Sequence, residues 1–264
     1  MLRIAYFISI LFFLLSCTSQ STVSINNGYA DFPEVRELKA KTIQLDTALF
    51  RYPFRVHAWD NKAVVLDLHG TDHYFHAFSY PEFHYLSSFG KRGDAPEEML
   101  SAENFRWGEK CLWTLDANKS ELTELGFALS GDTLLRQEVV KLDKDILRAL
   151  DFIIYEDSTF IIPDYTGDNR FCQVSSEGKL LRKFGVIPSA NEEALANSRP
   201  ALAQAWRSFI DYNPRKGVLV AATQLGEVLE IYNLKDSTHV VCTGPHGEPE
   251  FQVAEGYGIP TGGK

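Results

Sequence analysis

Cysteine is scarce in this chain: four residues, at positions 17, 111, 172 and 242, with no two of them close together. With Cys17 set apart at the N-terminus, three remain, an odd number with no close pair, which argues against a disulfide framework and against a zinc site of the Cys-x-x-Cys kind. Cys111, Cys172 and Cys242 read instead as small hydrophobes packed in strands. Basic charge is also short. Lys and Arg total 26 against 35 Asp and Glu, a formal charge of -9, which gives no long-range attraction for phosphate backbones or anionic headgroups. Nucleic acid is therefore not expected as a partner. The longest apolar run, residues 4–15, falls short of the roughly 20 residues a membrane-spanning helix needs. Gly-x-Ser-x-Gly, a phosphate-cradling Gly-rich loop before a helix, and His-Glu-x-x-His are all missing. No catalytic, cofactor-binding or metal-ligating residue is assigned on these grounds, and no cofactor is expected.

What the chain does have begins at its N-terminus. Residues 1–16 carry one charge, Arg3, ahead of the apolar run, which is the form of a signal peptide. Leu14-Leu15-Ser16-Cys17 resembles the lipobox of bacterial lipoproteins. That resemblance implies cleavage before Cys17, a diacylglycerol on its sulfur and acylation of the new amine, with membrane contact made through this lipid. Residues 17–34 then read as the lipidated cysteine and a flexible tether. The polar stretch Thr18-Ser-Gln-Ser-Thr22 lacks the acidic cluster associated with surface export in Bacteroides-like lipoproteins. The expected address is the bacterial cell envelope, lipid-anchored at the outer membrane and facing the periplasm.

From Arg51 onward short β segments alternate with turn formers. A first group covers 54–59, 63–68, 73–78 and 83–89, separated by Asp60-Asn61, His69-Gly70 and Ser79-Tyr80-Pro81, an antiparallel meander of four strands. Further copies cover 105–107, 112–115, 122–128 and 134–140, then 149–155, 159–162, 170–174 and 180–184, then 209–212, 218–222, 228–232 and 239–242. The copies share punctuation. Phe89-Gly90 leads to Pro96-Glu97 after the first, Phe184-Gly185 closes the third, and Thr243-Gly244 leads to Pro249-Glu250 after the fourth. Four-strand units recurring every 40 to 50 residues or so are the sequence form of β-propeller blades, because a lone meander exposes an apolar face that stacking around an axis buries. A Greek-key sandwich would not place a shared loop after every fourth strand. The expected fold is all-β, a β-propeller of four-stranded antiparallel blades, with one short helical insertion. That insertion is the Ala-rich pair 190–197 and 200–206, with Ser198 as cap and Pro200 in the first turn of the second piece. Leu202, Trp206 and Phe209 read as its packing face, and Trp59, Trp107 and Trp113 as core between blades.

The Gly-x-x-Gly-x-x-Pro-Glu loop after the first unit resembles the inter-blade loops of six-bladed propellers of the TolB-like and NHL groups. Trp206-Arg-Ser-Phe-Ile-Asp-Tyr-Asn-Pro-Arg-Lys-Gly-Val-Leu-Val-Ala-Ala222, continued by Glu230-Ile-Tyr232, resembles the TolB-like six-bladed propeller lipoproteins of the Bacteroides type. The resemblance implies six blades over a propeller domain 35–264, of which about four are counted, so the domain is expected to be incomplete at its C-terminus. It also implies an N-terminal strand completing the last blade, for which residues 38–45 are the candidate.

Two clusters bear on chemistry. His57, His69, Asp72, His73, His76 and His84 crowd the first unit, but alternation sends His73 and His76 to opposite sheet faces, leaving only His69, Asp72 and His73 able to converge at a turn. Asp151, Asp157, Asp164, Asp168 and Asn169 dot the third. Asp157, Asp164 and Asp168 sit beside turns that they cap themselves, and Asp151 alone starts an innermost strand. The innermost strands offer Arg55, His57, Arg106, Asp151 and Asp211, a mixed set without a clear ligand pattern. The favoured reading is a binding or scaffolding module holding an envelope protein, peptide or glycan. The alternative is a metal-dependent hydrolase or lyase of the propeller type.

Overall fold

The computed structural model describes residues 22–26, 34–45, 50–108, 111–127, 134–253 and 260–262. Cys17 and the leader lie outside the described residues. The first blade is β2 (Pro53–Trp59), β3 (Lys62–Asp67), β4 (His73–Ser79) and β5 (Tyr85–Lys91), and the second is β6 (Ala102–Trp107), β7 (Cys111–Asp116), β8 (Glu121–Phe127) and β9 (Leu134–Lys141). The third is β10 (Ile153–Ile154), β11 (Phe160–Pro163), β12 (Phe171–Val174) and β13 (Leu180–Phe184). After the helices α1 (Glu192–Asn197) and α2 (Arg199–Ala205), the fourth is β14 (Ser208–Asn213), β15 (Val218–Thr223), β16 (Val228–Asn233) and β17 (Thr238–Thr243). Each blade is an antiparallel meander in sequence order. A further hairpin pairs β18 (Phe251–Val253) with β19 (Pro260–Gly262).

The blades bury apolar faces against one another. Val64, Leu66, Phe75 and Phe89 of the first pack on Phe105 and Leu112 of the second. Trp113, Leu115 and Leu122 meet Phe160, Ile162 and Cys172 of the third. Ile153, Ile161 and Phe171 meet Ile210, Leu219, Ala221 and Tyr232 of the fourth. Alternation in the middle strands supplies both faces of each blade at once, which is what stacked sheets require. The shared Phe-Gly punctuation has a backbone reason: Gly90 and Gly185 adopt φ +65° and +72°, a conformation that L side chains rarely take, and a Cβ on Gly90 would strike the Phe75 ring.

Several sequence expectations are corrected. Residues 38–45 form no strand and are mostly exposed. The N-terminal strand that joins the fourth blade is β1 (Thr22–Asn26), inside the stretch read as a tether, and it adds parallel to β17. Phe209 does not share the helical packing face, because α2 stops at Ala205 and Phe209 lies on β14 with 45% of its surface exposed. Leu202 and Trp206 do pack there, with Ala194, Ala203, Val228 and Val241. Ser198 is the N-cap residue of α2 but makes no side-chain capping bond, whereas Asn191 caps α1 by accepting from the Ala194 amide. Trp113 is interblade core as expected, but Trp59 lies at a strand end, 40% exposed and stacked on Trp107 at 5.3 Å.

Candidate functional site

The innermost strands β2, β6, β10 and β14 run along the propeller axis, and their pairing registers show which positions are equivalent. Arg55 pairs with Leu66, Asn104 with Leu115 and Phe209 with Ala222, while Asp151 lies two residues before Ile153, whose partner is Ile161. Arg55, Asn104, Asp151 and Phe209 therefore form one axial layer, and His57, Arg106, Ile153 and Asp211 the next. The sequence reading picked out most of these residues without bringing them together. The structure brings them into contact.

Asp151 is the node. Buried to 5% exposure, it accepts hydrogen bonds from Asn104 Nδ2, from the Phe152 amide at 2.8 Å and from the Ile210 amide at 3.4 Å. Arg106 reaches it at 2.9 Å and Arg55 at 3.6 Å. Arg106 also donates to the carbonyls of Phe152 at 2.8 Å and Ile210 at 2.6 Å, and pairs with Asp211 at 3.4 Å. One carboxylate and one guanidinium thus tie all four blades together at the axis. A buried carboxylate demands such partners, since an unpaired one in this setting would cost several kcal/mol. Burial, then the nearby Arg106, push the His57 pKa down, and burial, offset by Asp151, also lowers that of Arg55.

A second buried network joins blades three and four. Arg170 donates to Glu230 at 2.8 Å through Nε and to Ser208 at 2.6 Å, Tyr232 OH donates to Glu230 at 2.6 Å, and His239 stacks on Tyr232 with its Nε2 3.5 Å from Glu230. Burial alone would raise the Glu230 pKa, but the Arg170 charge, with the hydrogen bonds from Arg170 and Tyr232, holds it below the usual carboxylate range.

The remaining sequence candidates have local roles. His69, Asp72 and His73 are not assembled: the His69 ring packs edge-on against Tyr52 at 5.2 Å, and the Asp72 carbonyl accepts the Arg92 amide. His76 bonds Ser88 at 2.8 Å, and His84 lies exposed. Asp164 accepts from Thr166 Oγ1 at 2.7 Å, from the amides of Thr166 and Asn169, and pairs with Lys183 at 3.1 Å, so it organises its own turn as expected. Asp168 and Asn169 belong to the same turn; the Asp157 side chain lies outside the described residues. Among the described residues no group of three or more His, Cys, Asp or Glu is placed to hold a metal ion.

Sequence reasoning missed Asp67 and Asp116, the counterparts of Asp164 at the end of the second strand of their blades. Asp67 accepts the amides of Arg51, Tyr52 and His69, and Asp116 those of Leu100, Ser101, Asn118 and Lys119. Each fastens the entry of its blade to the turn after the second strand. The signal was present as Val64-Val-Leu-Asp67, Leu112-Trp-Thr-Leu-Asp116 and Phe160-Ile-Ile-Pro-Asp164, a buried acid closing an apolar strand once per repeat. The fourth blade has Thr223 there, which bonds Val228 instead.

The chain is similar to several solved structures. A member of the DUF4221 family from Bacteroides vulgatus superposes with a TM-score of 0.52 at 12% identity, over 81% of this chain and 66% of that one. A Bacteroides fragilis protein described as exported gives a TM-score of 0.46 at 11% identity over 84% and 80% of the two chains. Streptogramin B lyase gives 0.46 at 12% identity, over 72% of this chain and 54% of the lyase, so the chain spans about half of that enzyme. No curated protein sequence matches. The family model of TolB-like 6-blade propeller-like proteins matches residues 31–262, nearly the whole chain, and the chain belongs to that family.

Proposed function

We propose that this chain is a lipid-anchored propeller of the bacterial cell envelope that works as a binding or scaffolding module. The observation that carries the reading is the axial network: the carboxylate best placed for chemistry, Asp151, is engaged by two arginines, an asparagine and two backbone amides. A carboxylate so held serves to fix the blades, and a rigid body with loops at both ends suits recognition. The Leu14-Leu15-Ser16-Cys17 motif supports attachment through Cys17, and the partner class is an envelope protein, peptide or glycan.

Turnover and metal content test this reading. The full chain, purified from membranes, is expected to show no stoichiometric transition metal and an unchanged thermal midpoint in chelator, because the blades hold together through side-chain pairing. About one zinc or iron per chain, lost together with stability in chelator, would replace the module by a metal-dependent hydrolase or lyase.

A further inference from the structure

Where blades one and four approach each other, a cation lies beside a run of three rings, of which Tyr52 and Phe209 are exposed and Phe54 is partly buried. Among the described residues Arg55 has one ionic partner, Asp151 at 3.6 Å, and Asp151 makes its closer contacts with Arg106 and Asn104. A guanidinium carries five donors in a planar fork, and that of Arg55 donates no hydrogen bond among the described residues, its Asp151 approach being 3.6 Å. The Phe209 ring lies 6.0 Å from its Cζ. Phe209 meets Phe54 at 6.0 Å, Phe54 lies near-parallel to Tyr52 at 6.2 Å, and Tyr52, half exposed, meets His69. The run is pre-set rather than loose: Asp67 holds the amides of Arg51 and Tyr52, and the Leu68 amide donates to the Tyr52 carbonyl. A register shift at Pro53/Arg55 turns Phe54 out of strict alternation. Farther along the fourth blade, Asp211, Val218 and Val220 line an open depression of about 710 Å³ that does not reach Phe209 or Arg55. Asp211, beside the seam, pairs with Arg106 at 3.4 Å.

We infer that this seam binds a carboxylate carried on a ring, with the carboxylate on Arg55 and the ring along Phe209, Phe54 and Tyr52. The guanidinium fork matches a carboxylate with two parallel bonds, and these strengthen where water is partly excluded. The exposed rings of Tyr52 and Phe209, with the partly buried Phe54 between them, offer apolar faces to another ring, either the π face of an aryl acid or the C–H face of a sugar acid. An apolar wall with one oriented charge is the usual make-up of a small-molecule site. The inference rests on the binding-module reading and gives it a ligand class.

The test is a ligand-observed NMR titration of the full chain in detergent with benzoate and with glucuronate, each against its neutral counterpart, benzamide and glucose. At least one acid is expected to bind about tenfold or more tightly than its counterpart, less tightly as salt is added. Which acid wins identifies the source. Phe209→Ser, at an exposed position, should weaken binding about tenfold with the thermal midpoint unchanged, and Arg55→Lys, which keeps the charge but loses the fork, should weaken binding by a similar factor. Equal binding of acid and neutral probe, no binding of either acid, or indifference to both substitutions would overturn the inference. Conversion of a bound probe into product would leave the site standing and refute the module reading.

Discussion

At Glu230 the energetics are set by burial. Its carboxylate is wholly enclosed and has Arg170, Tyr232 and His239 around it. Removing one member of such a set leaves an uncompensated charge, so Glu230→Ala should destabilise by about 3–5 kcal/mol in urea unfolding. Replacing Glu230 and Arg170 together by apolar residues of similar volume should cost much less, since no orphaned charge remains. The pH dependence follows from the direction of the shift. Glu230 has a folded pKa below its unfolded value, so its contribution is present above about pH 4.3 and is lost as pH falls through the lower, folded value. Glu230→Gln should flatten that part of the acid limb. His57 and His76, whose pKa values are both lowered first by burial, act at higher pH. The unfolded chain binds their protons more readily, so stability should begin to fall as pH drops below about 6.5. A stability profile level between pH 7 and 5 in the wild type would contradict this assignment.

At the scale of elements, the blade is fastened by its own aspartate. Asp67→Ala and Asp116→Ala each strip part-buried backbone amides of their acceptor, a change that should cost about 1 kcal/mol and most affect the entry to that blade. Hydrogen exchange should accelerate at 51–52 in the first variant and at 100–101 in the second, with the other blades little changed. Uniform loss of protection across all blades would mean that these aspartates are not local fasteners. Strand positions were legible in the sequence because each blade repeats alternation and turn residues, so the structure moved boundaries by only a few residues outside the short β10. The parallel addition of β1 was not legible: Thr-Val-Ser-Ile-Asn has strand character, but its partner, β17, lies at the far end of the chain. Phe209 was misread because helical spacing from Leu202 and Trp206 continues past the point where the helix ends.

For the whole molecule, the axial set was half legible. Arg55, Arg106, Asp151 and Asp211 stand out as charged groups on innermost strands, yet each looks isolated until register superimposes the blades. Asn104 gives no charge signal at all and is recognisable only as the position equivalent to Arg55 and Asp151. The N-terminal address is tested separately. Cys17→Ala is expected to move the protein from the membrane to the soluble fraction, and intact-mass analysis of the wild type should show a chain starting at Cys17 with acyl additions; an unmodified soluble wild-type chain would contradict the anchor. The central claim is that the contacts made by Asp151 and Arg106, with each other and with Arg55, Ile210 and Asp211, hold four blades as one body. A double-mutant cycle in urea unfolding tests it most directly, with Asp151→Ala, Arg106→Ala and the pair compared with wild type. The account predicts a coupling energy of about 1–3 kcal/mol between the two sites. Losses that simply add, to within about 0.5 kcal/mol, would show that the blades do not depend on this node.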